Sequence, residues 1–292
     1  MERAMKALRI TTSLVLALAV RACDELEDPI LAVGNTYRAD LYGPAPEFSA
    51  VGSTVQRVLL EDFTAHQCGN CPAAAVIAEN IADGANERVS VMAIHAGNLA
   101  VTDDDHFDTD WTTEEGDVFW SQLAFQANPL GRVNRGGGPG NFLAPAEWQS
   151  AVDAALAEPP ALHLDLVASW VPEANHLNLH AYGQAFAAIP GGVRLAILVL
   201  ESGIVDYQLD YASDPEVIPD YTFNHVLRGS VTGALGLPFG ALGDGAVVGE
   251  QAVASFTYSW NPAWEIEGAT LVAVAIDATG QVLNVAEIHP VE

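Results

Sequence analysis

The residues with the most evident chemistry are Cys68 and Cys71, separated by Gly69-Asn70 and followed at once by Pro72. The apolar run Val58-Leu59-Leu60 lies upstream and Ala73 to Ala78 lies downstream, so the pair is expected on a turn between a buried strand and a helix. Two intervening residues let the sulfurs close a small disulfide ring. Unpaired N–H groups and the positive end of the helix dipole stabilise a thiolate at such a place, which makes Cys68 the candidate nucleophile. Cys71, one turn further in, is the candidate resolving thiol. Thiol–disulfide exchange is the chemistry such a pair permits, and Pro72 fits the first helical turn because its missing N–H would have no intrahelical partner there.

The arrangement resembles the active site of thioredoxin-like proteins. Asp62 stands six residues before Cys68 in an Asp-Phe-x-Ala-x-x-Cys frame, and the resemblance implies a buried carboxylate that assists proton transfer to the resolving cysteine. Pro129, in Asn128-Pro129-Leu130-Gly131, matches the cis-proline loop that such proteins hold opposite the cysteines, where it would shape a substrate groove. Gln67 stands where thioredoxins usually place tryptophan, and Gly69-Asn70 replaces their Gly-Pro, so redox poise does not carry over. His66, beside the turn, and His95, ending the next strand, are further candidates. The other reading of His95 is a ring that simply terminates a strand.

These residues need elements to hold them. A strand over 55–63, a helix over 72–83 closed by Gly84 and a strand over 89–94 predict a right-handed parallel unit, and a helix over 145–157 carries Trp148, Val152 and Leu156 on one face. Pro159-Pro160 marks a boundary, after which residues 162–168 and 176–182 alternate with period two. Further strand candidates at 194–200, 253–260, 271–276 and 282–288 predict an antiparallel sandwich. The alternation sets His176, Asn178 and His180 on one strand face, expected to be solvent-exposed and too widely spaced for zinc. The carboxylates from Asp103 to Asp117 lack the spacing of an EF-hand and read as a solvated loop. The expected architecture is an α/β thioredoxin-like domain over 53–158 and an all-β, immunoglobulin-like antiparallel sandwich over 161–292.

Arg3, Lys6 and Arg9 precede the apolar run Ile10 to Val20, which is too short to span a bilayer and predicts a signal peptide over 1–22. Ala22-Cys23 resembles a lipoprotein cleavage site, with Arg21 an irregularity, so Cys23 is expected to carry lipid and residues 23–52 to form a tether. Of the three cysteines, a modified Cys23 leaves one pair and no orphan. Export also puts that pair where disulfides persist. The net charge of −27 argues against nucleic acid as a partner and leaves the membrane only an N-terminal lipid to hold.

Several phrases, read together, resemble the Omp28-related outer membrane lipoprotein family: Val58 to Thr64 leading into Cys68-Gly69-Asn70-Cys71-Pro72, then Ala93-Ile94-His95-Ala96-Gly97, Val133-Asn134-Arg135 and Asn224-His225-Val226-Leu227-Arg228. The resemblance implies an exported protein of the periplasm, outer membrane or cell surface that joins a thioredoxin-like domain to a β-sandwich. It also adds His225 and Arg228 to the candidate residues. Two functions stay open. One is thiol–disulfide exchange with protein thiols or disulfides, needing no cofactor beyond the redox-active disulfide. The other is a non-catalytic surface lipoprotein in which that disulfide is structural and the sandwich binds an unknown ligand. Gly-x-Ser-x-Gly, His-Glu-x-x-His and a dinucleotide fingerprint are lacking, so other enzyme classes have no support.

Overall fold

The computed structural model describes residues 35–103, 105–138 and 141–291. The expected signal peptide and Cys23 lie outside the described residues. The chain is a mixed α/β protein, rich in sheet and with few helices. After a one-turn helix α1 (Ala39–Tyr42) come β1 (Val58–Thr64), α2 (Cys71–Gly84) and β2 (Val89–His95), then α3 (Glu114–Ser121), β3 (Leu130–Val133) and α4 (Pro145–Ala157). Strands follow: β4 (Leu162–Val171), β5 (His176–Ala185), β6 (Val193–Glu201), β7 (Ile204–Leu209), β8 (Val217–Phe223), β9 (Val226–Ser230) and the short β10 (Leu237–Pro238). The last are β11 (Gln251–Ser259), β12 (Ala269–Asp277) and β13 (Val282–Ile288).

β1 pairs in parallel with β2, in register Leu60 to Val91, and antiparallel with β3 on its other side, in register Leu60 to Val133. All seven positions of β1 are buried, because both faces of this strand are covered. On one face Val58, Leu60, Val89 and Val91 pack under Ala74, Ala78 and Ile81 of α2 and Trp148 and Val152 of α4. On the other, Leu59, Phe63, Met92 and Ile94 meet Phe119 of α3.

The sheet does not stop at the chain's Pro159-Pro160. Its strand order is β13-β12-β6-β9-β2-β1-β3, with β10 also on β6, so strands from both halves share one sheet. The seam is β9 beside β2, where Val226 pairs with Ala93 and the Ala93 N–H donates to the His225 carbonyl at 2.9 Å. An edge left open on β2 would expose unpaired backbone groups, and β9 covers it. A second sheet, β11-β5-β4, packs Leu164, Leu166, Leu177 and Leu179 on Ile197, Val199 and Leu271 of β6 and β12 in this shared sheet.

The outer face of β5 differs from expectation. Asn178 and His180 are buried, because residues 35–54 lie across them. The Tyr42 hydroxyl meets His176 Nδ1 at 2.8 Å, Tyr37 meets the His180 ring edge-on, Phe48 stacks on Tyr182, and Gln184 exchanges hydrogen bonds with the Val51 backbone. Aromatic side chains spaced along 37–48 are what lay this segment on the sheet.

Candidate functional site

β1 ends at Thr64, the chain turns through Ala65 to Asn70, and α2 begins at Cys71. The turn is closed by Cys68 N–H to the Ala65 carbonyl at 3.1 Å and Cys71 N–H to the Cys68 carbonyl at 3.0 Å. Cys68 and Cys71 form a disulfide, with S–S 2.07 Å and Cα atoms 5.3 Å apart. Asn128-Pro129 is a cis peptide. The pairing of Leu130 with Phe63, and the Asn128 side-chain amide donating to the Thr64 carbonyl at 2.9 Å, hold that proline at the end of β1 from which the turn springs.

Beneath the disulfide lies a cavity of about 30 Å³ lined by Asp62, Thr64, Cys71, Ala93, His95, Gln208, Tyr221 and Phe223, among others. Such a volume has room for a water molecule. Asp62 Oδ1 and both ring nitrogens of His95 are buried and find no hydrogen-bond partner among the described residues. Burial raises the Asp62 carboxyl to about 7. Burial, with smaller contributions from His66 and Arg228, lowers the His95 imidazole to about 3, so the ring is neutral at neutral pH. A carboxyl whose proton is held up toward neutral pH by burial and a neutral imidazole therefore line one cavity with Cys71.

His66 is buried too, its Nε2 2.9 Å from the Val101 carbonyl and its ring against Phe107. The segment from Leu99 to Phe107 walls one side of the turn, since Gln67 donates from its N–H to the Leu99 carbonyl and from its side chain to that of Val101. A second wall comes from the other half of the chain. The β7–β8 hairpin stands as its own two-stranded sheet and bonds to the turn. The Leu209 N–H donates to the His66 carbonyl at 2.8 Å and the Tyr211 N–H to that of Gly69 at 2.9 Å. Gln208 Nε2 reaches the Ala65 and Cys68 carbonyls at 3.4 and 3.2 Å. Between these walls Cys68 is 3% exposed and Cys71 2%.

The structure thus gathers Cys68, Cys71, Asp62, His66 and His95, with Pro129 at the edge of the group. His225 lines a neighbouring cavity with Asp62, and its backbone, at positive φ, serves the β2–β9 seam. Arg228 lies over the rings of Trp111 and Trp264, 3.5 Å from the Glu201 carboxylate, and packs β9 in place. Sequence reasoning missed Gln208, Tyr211 and Tyr221. The signal that could have found them is the hairpin pattern of 204–223, two apolar-alternating runs flanking Asp210 to Pro215. A larger groove of about 750 Å³ between β4 and β13 shares no lining residue with the site and mixes Arg57, His163 and His289 with Glu87, Asp165 and Glu287.

Fold and site define a mixed α/β protein with a cysteine pair closed as a disulfide at the head of a helix that crosses one sheet. Residues 117–291 match the family described as outer membrane protein Omp28, and the chain belongs to that family. Membership points to the cell envelope. The match begins after the cysteine turn, so the chemistry of that turn rests on its own geometry. Among solved structures, HBP35 of Porphyromonas gingivalis has a TM-score of 0.61 at 17% identity, with 82% of this chain and 76% of that chain covered, a likeness of fold. Protein AGR_C_4864 from Agrobacterium tumefaciens has a TM-score of 0.49 at 10% identity, with 83% and 97% covered. No curated protein matches the chain.

Proposed function

We propose that this protein carries out thiol–disulfide exchange in the cell envelope, through a thioredoxin-like site in residues 53–158 that is joined to the β-sandwich of 161–292. In this reading residues 1–22 direct export and a lipid on Cys23 holds the protein to the membrane. The reaction needs no cofactor beyond the disulfide. The observation that carries it is Asp62: its Oδ1 is buried with no partner among the described residues, a placement that costs several kcal/mol for a charged carboxylate or neutralises it, and the side chain lines the same cavity as Cys71. A purely structural disulfide needs no such group beneath it. Perturbed carboxyls in clefts mark functional sites.

With a dithiol partner, one partner thiolate forms a bond to the Cys68 sulfur and the Cys68–Cys71 bond breaks. Cys71 leaves with the electron pair and takes the Asp62 proton. The partner's second thiolate then displaces Cys68, which leaves as a thiolate and takes its proton from water, so the partner ends as a disulfide and this chain as a dithiol. The reverse sequence reduces a partner's disulfide instead.

The test is the reduction of the wild-type disulfide by dithiothreitol between pH 5 and 9, with each rate divided by the reagent's thiolate concentration. The normalised rate should fall as pH rises through about 7, where the Asp62 proton is lost. Asp62→Asn should lose that inflection and be slower at pH 6 by on the order of 10²-fold. Superimposable profiles would contradict the role. The second reading, a binding protein with a structural disulfide, draws on the burial of both sulfurs.

A further inference from the structure

A disulfide proposed to react is buried between two walls, Ala100 and its neighbours on one side and the β7–β8 hairpin on the other, and the hairpin is the wall built to move. β7 and β8 pair only with each other, so they add nothing to the two larger sheets. The excursion leaves the large sheet after Glu201 and rejoins it at Val226, its two ends clipped by the Gly203 N–H donating to Asn224 Oδ1 at 3.1 Å. Its ties to the turn share one form. Leu209, the last residue of β7, and Tyr211, in the turn that follows it, each give a backbone N–H to a carbonyl of the cysteine turn, and Gln208 adds its side-chain amide. Main-chain bonds of this kind are also what hold a peptide segment added to a host protein. Nothing in these bonds requires the donor to belong to the same chain.

The aromatic ring at the hairpin's end completes the cover. A Cβ built on Gly69 would lie 2.6 Å from ring carbons of Tyr211, so the ring rests directly on the backbone between the two cysteines and only glycine fits beneath it. The outer face of that ring stays in solvent. Gln208, by contrast, is buried.

We propose that the β7–β8 hairpin is an internal plug: it occupies the face of the Cys68–Cys71 turn that an extended, thiol-bearing polypeptide would take, and a partner gains the disulfide only when the hairpin lifts. The proposal rests on the exchange reading for its purpose but not for its geometry. A partner strand that offers N–H groups to the His66 and Gly69 carbonyls displaces Leu209 and Tyr211 and arrives with its sulfur beside Cys68. Solvent thiols, which make no such bonds, wait for spontaneous opening.

The oxidised, full-length protein and dithiothreitol test this. Reduction of the folded wild type should be slower than reduction of the unfolded chain by a factor that agrees, within about tenfold, with the hydrogen-exchange protection of the Leu209 and Tyr211 amides. Gln208→Ala, which loses its side-chain hydrogen bonds to the turn, and Tyr211→Ala, which keeps its backbone bond but loses the ring packed on Gly69, should each speed reduction about tenfold, while circular dichroism reports a folded protein. Reduction at the unfolded-chain rate, or slow reduction while those two amides exchange freely, would overturn the plug. Should either variant fail to fold, the wild-type comparison still decides. Faster reduction in the variants without any partner captured through Cys68 supports the plug and counts against exchange as the function; captured partners with no effect of the hairpin variants do the opposite.

Discussion

At the residue scale the site depends on a carboxyl placed where it is costly. Asp62 has an ordinary value of 3.8 and is raised by burial to about 7. The folded state therefore holds its proton more tightly than the unfolded chain does. Its stabilising contribution is complete below pH 3.8 and is lost as pH climbs to about 7, above which the buried charge opposes folding. Asp62→Asn, neutral throughout, should gain stability over wild type between pH 4 and 8, by up to about 4 kcal/mol, and the gain should level off above pH 8. Urea unfolding at pH 4, 6 and 8 measures it, and a difference independent of pH would contradict the assignment. Asp62 was legible in the sequence because its distance from Cys68 is fixed by one strand and one turn. The state of His95 was not: the strand end is visible in the sequence, whereas burial against Trp111 and Phe223 depends on residues far away in the chain.

At the scale of elements, local pattern gave the strand, the turn and both long helices, and failed where one element covers another. The run 35–54 has no periodicity to announce it as a strap over β5, and 204–223 has the pattern of a hairpin but no local sign that it lies on the cysteine turn. A further element-level device is the buried Glu61 of β1. Its carboxylate takes Arg132 Nε of β3 at 2.8 Å and Arg135 Nε at 2.9 Å, with the guanidinium groups over Phe63 and Phe119. Burial alone would raise the Glu61 carboxyl, but the two arginines outweigh it and hold it below its ordinary range. Glu61→Gln leaves two buried cations with no counter-charge and should cost about 3–5 kcal/mol in chemical denaturation. A loss under about 1 kcal/mol would show that the aromatic rings suffice.

At the scale of the molecule, one sheet takes strands from both sides of Pro159-Pro160, since prolines interrupt a chain without interrupting a sheet built from other strands. The stitching is polar as well as apolar: buried Asn284 of β13 donates to the Val55 and Leu162 carbonyls at 3.0 and 2.7 Å and accepts from the Arg57 N–H at 2.9 Å, tying both halves at one side chain. The Asn224 to Arg228 phrase does similar work at the β2–β9 seam, and the same connection sends the hairpin over the disulfide. One continuous sheet thus lets the second half of the chain govern access to the chemistry of the first. The measurement that tests this most directly is partner capture. Cys71→Ser, expressed as the full chain in its own host, should accumulate mixed disulfides through Cys68, more of them when Tyr211→Ala is added and none when Cys68→Ser is added. No adduct through Cys68 in either the single variant or the variant with Tyr211→Ala would contradict thiol–disulfide exchange and leave the disulfide a structural brace.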